Sequence, residues 1–224
     1  MALAVLLGAW SSSYAVTYSW EHVSGSRSSP PYGWNYSYDI GYFNNSITVD
    51  VDIKLVGTDP GTSLRNIWTS GIESMWSTTR FSVPILFNVD WVTSGQDQTV
   101  NVVAGDGRDN MTTWYTGDPG GWGYAFQDEA AAHEFGHMLS LYDEYVDGAV
   151  DPVTRLTGTG GLMETLYGST LDSYYAPFLD WFAGKQAQAS AVPEPETYAL
   201  MLAGLGLMGA IGRRRIRPSK SPSA

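Results

Sequence analysis

The chain has 224 residues, 43% of them hydrophobic, with nine Trp, fourteen Tyr and no cysteine. This composition suits one domain with a sizeable core, and it excludes wholesale disorder, a disulfide framework and thiolate metal sites. The formal net charge is -11, and five of the twelve basic residues lie between 213 and 220, so the chain before them sets 7 basic against 23 acidic side chains and repels nucleic acid and anionic surfaces.

Residues 1–15, MALAVLLGAWSSSYA, place a short apolar run before small residues, with Ser13 and Ala15 at the spacing that signal peptidase cuts. The expectation is a signal peptide, weak or truncated because the first basic residue is Arg27; a buried strand is the alternative. A domain over residues 16–190 follows. YGWNYSYDIGYF (32–43) reads as an edge strand, with a sugar-stacking surface as the alternative. SITVDVDIKLVG (46–57) alternates apolar and polar residues, the pattern of a half-buried strand, and TDPGT then breaks the chain. Leu64, Ile67, Trp68, Ile72, Met75 and Trp76 recur at helical spacing within 63–79. Phe81–Val92 reads as a strand interrupted by Pro84, and Thr99–Ala104 as a short strand. GDGRDN (105–110) and TGDPGGWG (116–123) are turn-rich loops. Gln127–Leu139, with three alanines, is a strong helix. No convincing strand follows residue 145, so the expected class is α/β: a twisted mixed sheet packed on a long helix, then a mostly irregular or helical part.

The tail from 191 to 224 has its own pattern. Val192-Pro193-Glu194-Pro195 precedes an apolar run of 15 residues, Tyr198–Gly212, and a basic cluster. As a helix the run spans roughly 22 Å, short of the roughly 30 Å hydrocarbon core. Motif, spacing and arginines resemble the PEP-CTERM sorting signal of exported bacterial proteins. The resemblance implies an exosortase-type processing partner, transient membrane insertion through 198–212, loss or exchange of the tail near Pro195, and a final place in or outside a Gram-negative-type envelope.

The chemistry-bearing stretch is HEFGHMLSLYDEY (133–145). On a helix, four residues advance about 400° and about 6 Å, so His133 and His137 point the same way and can share one zinc. Glu134, turned by about 100°, can face a zinc-activated water and act as general base. The third ligand is expected to be a carboxylate, from Asp143, Glu144 or Asp147, because cysteine is absent and His22 lies close to the processed N-terminus. If the helix ran on, Asp143 would sit about 9 Å too far along and about 240° round. A bound carboxylate therefore requires the helix to stop soon after His137.

These residues resemble the metzincin zinc proteases, whose signature is HExxHxxGxxH or HExxHxxGxxD, and in particular the snapalysin-type version with Asp as third ligand. His133, Glu134 and His137 match, and Asp143 falls on the last position. Met163, in GTGGLMET (158–165), stands where the family has a methionine turn beneath the metal. The resemblance implies a zincin fold, Zn2+ held by His133, His137 and Asp143, and hydrolysis of peptide or protein substrates with Glu134 as base. Two positions depart from the pattern: Ser140 replaces the family glycine, and Thr165 stands where some metzincins carry a tyrosine that helps hold the oxyanion, so neither Tyr167 nor Tyr145 takes that role by motif. The competing reading is a non-catalytic surface or exopolysaccharide-matrix binding protein on the same scaffold; Glu134, which a metal-holding site does not need, favours the enzyme. Carboxylates in GDGRDN and at Asp147 and Asp151 read equally as Ca2+ ligands or as turn formers.

Overall fold

The computed structural model describes residues 17–117, 126–191 and 200–208. The chain divides into two units, 1–180 and 181–224. The signal peptide expected over 1–15 and the motif Val192–Pro195 lie outside the described residues.

In the first unit, six strands form one mixed sheet among the described residues: β1 (Tyr18–Ser29), β2 (Tyr32–Phe43), β3 (Ser46–Gly57), β4 (Ile85–Trp91), β5 (Gln98–Val103) and β6 (Thr113–Tyr115). β1 pairs antiparallel with β2 and β2 with β3, while β4 and β5 pair parallel with β3, and β6 parallel with β5. The alternation in β3 sends Ile47, Val49, Val51 and Ile53 into the core and leaves Thr48, Asp50, Asp52 and Lys54 half-exposed. The core face is covered by α1 (Gly61–Trp76) and α2 (Gln127–Met138).

β3 is shared in an unusual way. Residues 47–50 pair with β2 on one side and β4 on the other. A residue's N–H and C=O point to the same side of its strand, and sides alternate along the chain. Ile53 O accepts from Val92 N, on the β4 side, so Asp52 O, which accepts from Asp97 N, faces the β2 side, where β5 then begins. β2 therefore leaves β3 beyond Asp39, and β5 takes its place along residues 53–57. The freed end of β2, still paired to β1 through Tyr32–Ser29, is available to reach elsewhere.

α1 and α2 lie close because Gly71 has no side chain: a Cβ there would sit 2.5 Å from Asp128 O. Two buried tryptophans of α1 hold α2 by their indole N–H groups, Trp68 to Gln127 Oε1 at 2.7 Å and Trp76 to Ala132 O at 2.9 Å. Trp76 also meets Phe87, Phe135, Tyr174 and Tyr175 in one aromatic cluster.

Several expectations shift. β1 was not legible, because YSWEHVSGSRSS is largely polar and buries no residue fully, its side chains being either half-buried or exposed. The strand expected from Phe81 starts only at Ile85; Pro84 offers no N–H, and its carbonyl instead accepts from Ile47 N at 2.9 Å. In α1, Ile67 is not part of the buried face and is 44% exposed. After α2 the chain is irregular to a short 3-10 turn at Asp172–Tyr175 and then α3 (Ala176–Ala191), in keeping with the expected irregular or helical part. In the second unit residues 200–208 are helical and expose Leu200, Leu202, Leu205 and Leu207. Among the described residues no helix is long and apolar enough to cross a membrane.

Candidate metal centre and its cleft

α2 stops where the ligand geometry requires. Leu141 N donates to Gly136 O and Ser140 N to His137 O, both at 3.0 Å, the paired bonds of a Schellman ending. The residue at the turn is Ser140, with φ 80°, the left-handed conformation that glycine enters freely and an L-residue enters at a cost of about 1–2 kcal/mol. Arg27 from β1 secures it, donating from Nε to Ser140 O at 3.0 Å and from Nη2 to Ser140 Oγ at 3.2 Å. The freed end of β2 adds a third tie, Trp34 Nε1 to His137 O at 3.0 Å, and Ser29 Oγ donates to Val150 O at 2.6 Å. The hairpin is thus clamped over the end of α2.

The chain then folds back on itself. Asp143 N donates to Ala149 O, and Ala149 N donates to Asp143 Oδ2 at 2.6 Å. Gly148 permits this, since a Cβ there would lie 2.6 Å from Asp143 Cβ. The result brings three side chains to one point. Asp143 Oδ1 lies 3.2 Å from His133 Nε2 and 3.3 Å from His137 Nε2, and the three ligand atoms lie within 4.8 Å of one another. Both histidines are oriented from behind: Nδ1 of His133 donates to Leu162 O at 2.8 Å, and Nδ1 of His137 to Leu141 O at 2.9 Å. Each Nε2 lone pair is thereby left for the centre. Two imidazoles and one carboxylate within this span could hold a metal ion, and they are a donor set that suits zinc with a fourth position open.

Electrostatics follow from this packing. Burial works to raise the Asp143 carboxyl, but hydrogen bonds and charge from His133 and His137 outweigh it and hold Asp143 well below the usual carboxylate range. Burial works to lower His137, yet Asp143 and Glu134 raise it above the ordinary imidazole value. Glu134 is buried and its carboxyl is raised, chiefly by desolvation.

Met163 is fully buried beneath the helix, its sulfur against Gly136. The preceding carbonyl, Leu162 O, is the one that orients His133. Glu144 points away from the centre: its carboxylate accepts from Tyr174 OH at 2.6 Å and from the Thr159 hydroxyl. His22 pairs instead with Asp39 at 2.9 Å. Tyr167 is 71% exposed and meets Phe126 edge-to-face. Asp109 accepts from Tyr115 N, and Asp151 caps Val153 N and the Thr154 hydroxyl, each as a turn former. A second acidic group, Asp50, Asp52 and Asp90, gathers on the half-exposed face of the sheet, where burial and then its neighbours push Asp50 up to about 6.

A cleft of about 610 Å³ opens onto the centre, walled by Tyr32 and Trp34 of the hairpin, by Arg108 and Met111 of the 105–112 loop, and by Glu134 and Tyr145. The Tyr145 ring lies 6.2 Å from that of His133, and burial pushes its phenol up to about 12, with Asp143 adding to the rise.

Comparison with known families places the tail. Residues 191–215 match the PEP-CTERM protein-sorting motif. The chain carries a bacterial sorting signal. Such a signal implies export, envelope sorting and processing by an exosortase-type enzyme. No curated protein and no solved structure matches the chain.

Proposed function

We propose that the body of this protein is an exported, metzincin-like zinc-dependent endopeptidase, delivered to a Gram-negative-type envelope by its C-terminal signal. What supports the reading above all is the convergence of His133 Nε2, His137 Nε2 and Asp143 Oδ1 beside a buried Glu134 in an open cleft. These residues would hold Zn2+. When bound, zinc supplies Lewis-acid chemistry, acidifying a water and polarising the scissile carbonyl.

The chain's own groups do the rest. Glu134 takes the proton of the attacking water and delivers it to the leaving amine; its burial raises the carboxyl toward the range where one group can serve as base and then acid. Tyr145 stands in the same cleft as a protonated phenol able to donate to the oxygen that gains charge. Leu162 O and Leu141 O keep the histidines in one tautomer and one orientation. The hairpin and the 105–112 loop form the walls between which an extended peptide would lie.

The test is metal content of the purified chain together with hydrolysis of labelled casein. One equivalent of zinc is expected, with cleavage abolished by chelation and restored by zinc. A chain that binds zinc stoichiometrically yet leaves casein and a broad peptide library intact would point to the binding-protein alternative.

A further inference from the structure

Tyr145 raises a question that its own position does not answer. A phenolic hydrogen lies near the ring plane and has two in-plane positions, so an isolated tyrosine points its proton either way. Here one side is taken. Arg108 Nη2 donates to Tyr145 Oη at 2.8 Å, and the guanidinium carbon lies 5.9 Å from the tyrosine ring centre. Because Arg108 can only donate, the phenol must accept from it and direct its own proton to the opposite side. Tyr145 shares its cleft with Glu134, His137 and Asp143.

The loop that delivers Arg108 is built to be rigid. Asp109, next in sequence and buried, accepts from Tyr115 N at 2.7 Å. Asn110 and Thr113 exchange both backbone bonds, and Asn110 Oδ1 accepts from Thr112 N at 3.1 Å. A Cβ on Gly107 would overlap the Tyr115 ring, so the loop lies flat against β6. Among the described residues that line the cleft, Arg108 is the one Lys or Arg, alongside the carboxyl side chains of Asp109, Glu134 and Asp143.

We infer that Arg108 is a positioning residue for the proposed hydrolysis: by donating to Tyr145 Oη it fixes the phenol proton toward the reacting oxygen and adds positive charge on the side where negative charge develops. This rests on the endopeptidase reading. It also assigns the oxyanion-side role by geometry, where the sequence pattern leaves Thr165. A hydrogen bond that strengthens as charge develops affects kcat rather than KM. The guanidinium is exposed, so its removal leaves no buried orphan and no cavity.

The experiment uses the full zinc-loaded chain with Arg108→Ala, Arg108→Lys, Tyr145→Phe and the double variant, and labelled casein as probe. Arg108→Ala is expected to lower kcat about 10- to 100-fold, the worth of one charge-assisted hydrogen bond, with KM and zinc affinity changed by no more than about 3-fold. Arg108→Lys is expected to restore part of the loss, and Arg108→Ala to cost nothing further once Tyr145 is Phe. In the metal-free chain, the tyrosine Cζ carbon resonance that disappears in Tyr145→Phe is expected to move in Arg108→Ala, since it reports the hydrogen bond at the phenol oxygen without any turnover. An unmoved resonance, an unchanged kcat, a kcat loss that persists in the Phe background, or a parallel loss of zinc would each overturn the inference while leaving the endopeptidase reading intact. A wild-type chain that takes up no zinc or cleaves no casein sinks the reading, and this inference with it.

Discussion

Gly136→Ala probes the floor of the metal centre. In an ordinary helix this change stabilises by about 1 kcal/mol, because alanine loses less backbone freedom on folding. Here a Cβ would overlap the Met163 sulfur and lie 3.1 Å from Trp76 Cζ2. Both neighbours are fully buried, so neither has open space to yield into. Overpacking of this kind costs about 1–3 kcal/mol. The net expectation is a loss of up to about 2 kcal/mol, a fall in Tm of up to about 8 °C for a domain of this size. Met163 is also joined to Leu162, whose carbonyl orients His133, so zinc affinity is expected to drop about 10-fold, as for other lost orienting partners. Thermal denaturation of the metal-free chain and zinc titration with a competing chelator measure the two effects separately. The cycle with Met163→Ala decides the cause. With the sulfur gone, Gly136→Ala is expected to become neutral or stabilising by up to about 1 kcal/mol, giving a coupling of about 2 kcal/mol. A higher Tm for Gly136→Ala in the unaltered background would refute the claim of a tight floor.

Glu134→Ala is expected to keep its zinc and lose casein hydrolysis by about 10²- to 10⁴-fold, since it removes a proton acceptor and no ligand; loss of the metal would instead make Glu134 a structural partner. Asp143→Ala is expected to weaken zinc binding at least about 10-fold, while Glu144→Ala, whose carboxylate faces Tyr174 and Thr159, retains it; the reverse order in metal analysis would place the third ligand at Glu144. Burial pushes Asp109 up to about 8, with Tyr115 N–H opposing and Glu134 adding, so the folded chain keeps a proton there that the unfolded chain gives up near its usual value of 3.8. Stability held at low pH is therefore lost as pH rises from about 4 to about 8, by an amount on the order of a few kcal/mol. Asp109→Asn is expected to flatten that decline in urea midpoints of the metal-free chain between pH 5 and 8.5; parallel declines in both proteins would show that Asp109 ionises freely when folded.

The core strands and the two helices were legible because their local signals are strong: β3 alternates over eight residues, and α2 carries three alanines in its first two turns. β1 carries no such signal, since neither of its faces is fully buried, and its pairing with β2 is what defines it. At the centre, helix geometry could say that the chain must turn after His137, and the turn falls at Ser140. The carbonyls that orient the histidines could not be read, because any residue type supplies a carbonyl; they depend on where Leu141 and Leu162 run. Arg108 sits in a stretch whose composition spells only a turn, and nothing in its local pattern links it to a tyrosine 37 positions on.

The departure of β2 from β3 also sets an order of assembly. The groups that seat the hairpin on the helix end are 103, 113 and 121 residues away from their partners along the chain. Contacts this distant close late, after the local helices and the strand pairs have formed. The hairpin comes first in the body of the chain, and its seat exists only once His137, Ser140 and Val150 have been made. A chain cut short before Ser140 owns both histidines and the glutamate but lacks the residue that Arg27 ties down at the helix end, and one cut before Asp143 lacks the third side chain of the centre. The convergence of His133, His137 and Asp143 is then a property of a chain made at least as far as Ala149, whose N–H holds Asp143 Oδ2.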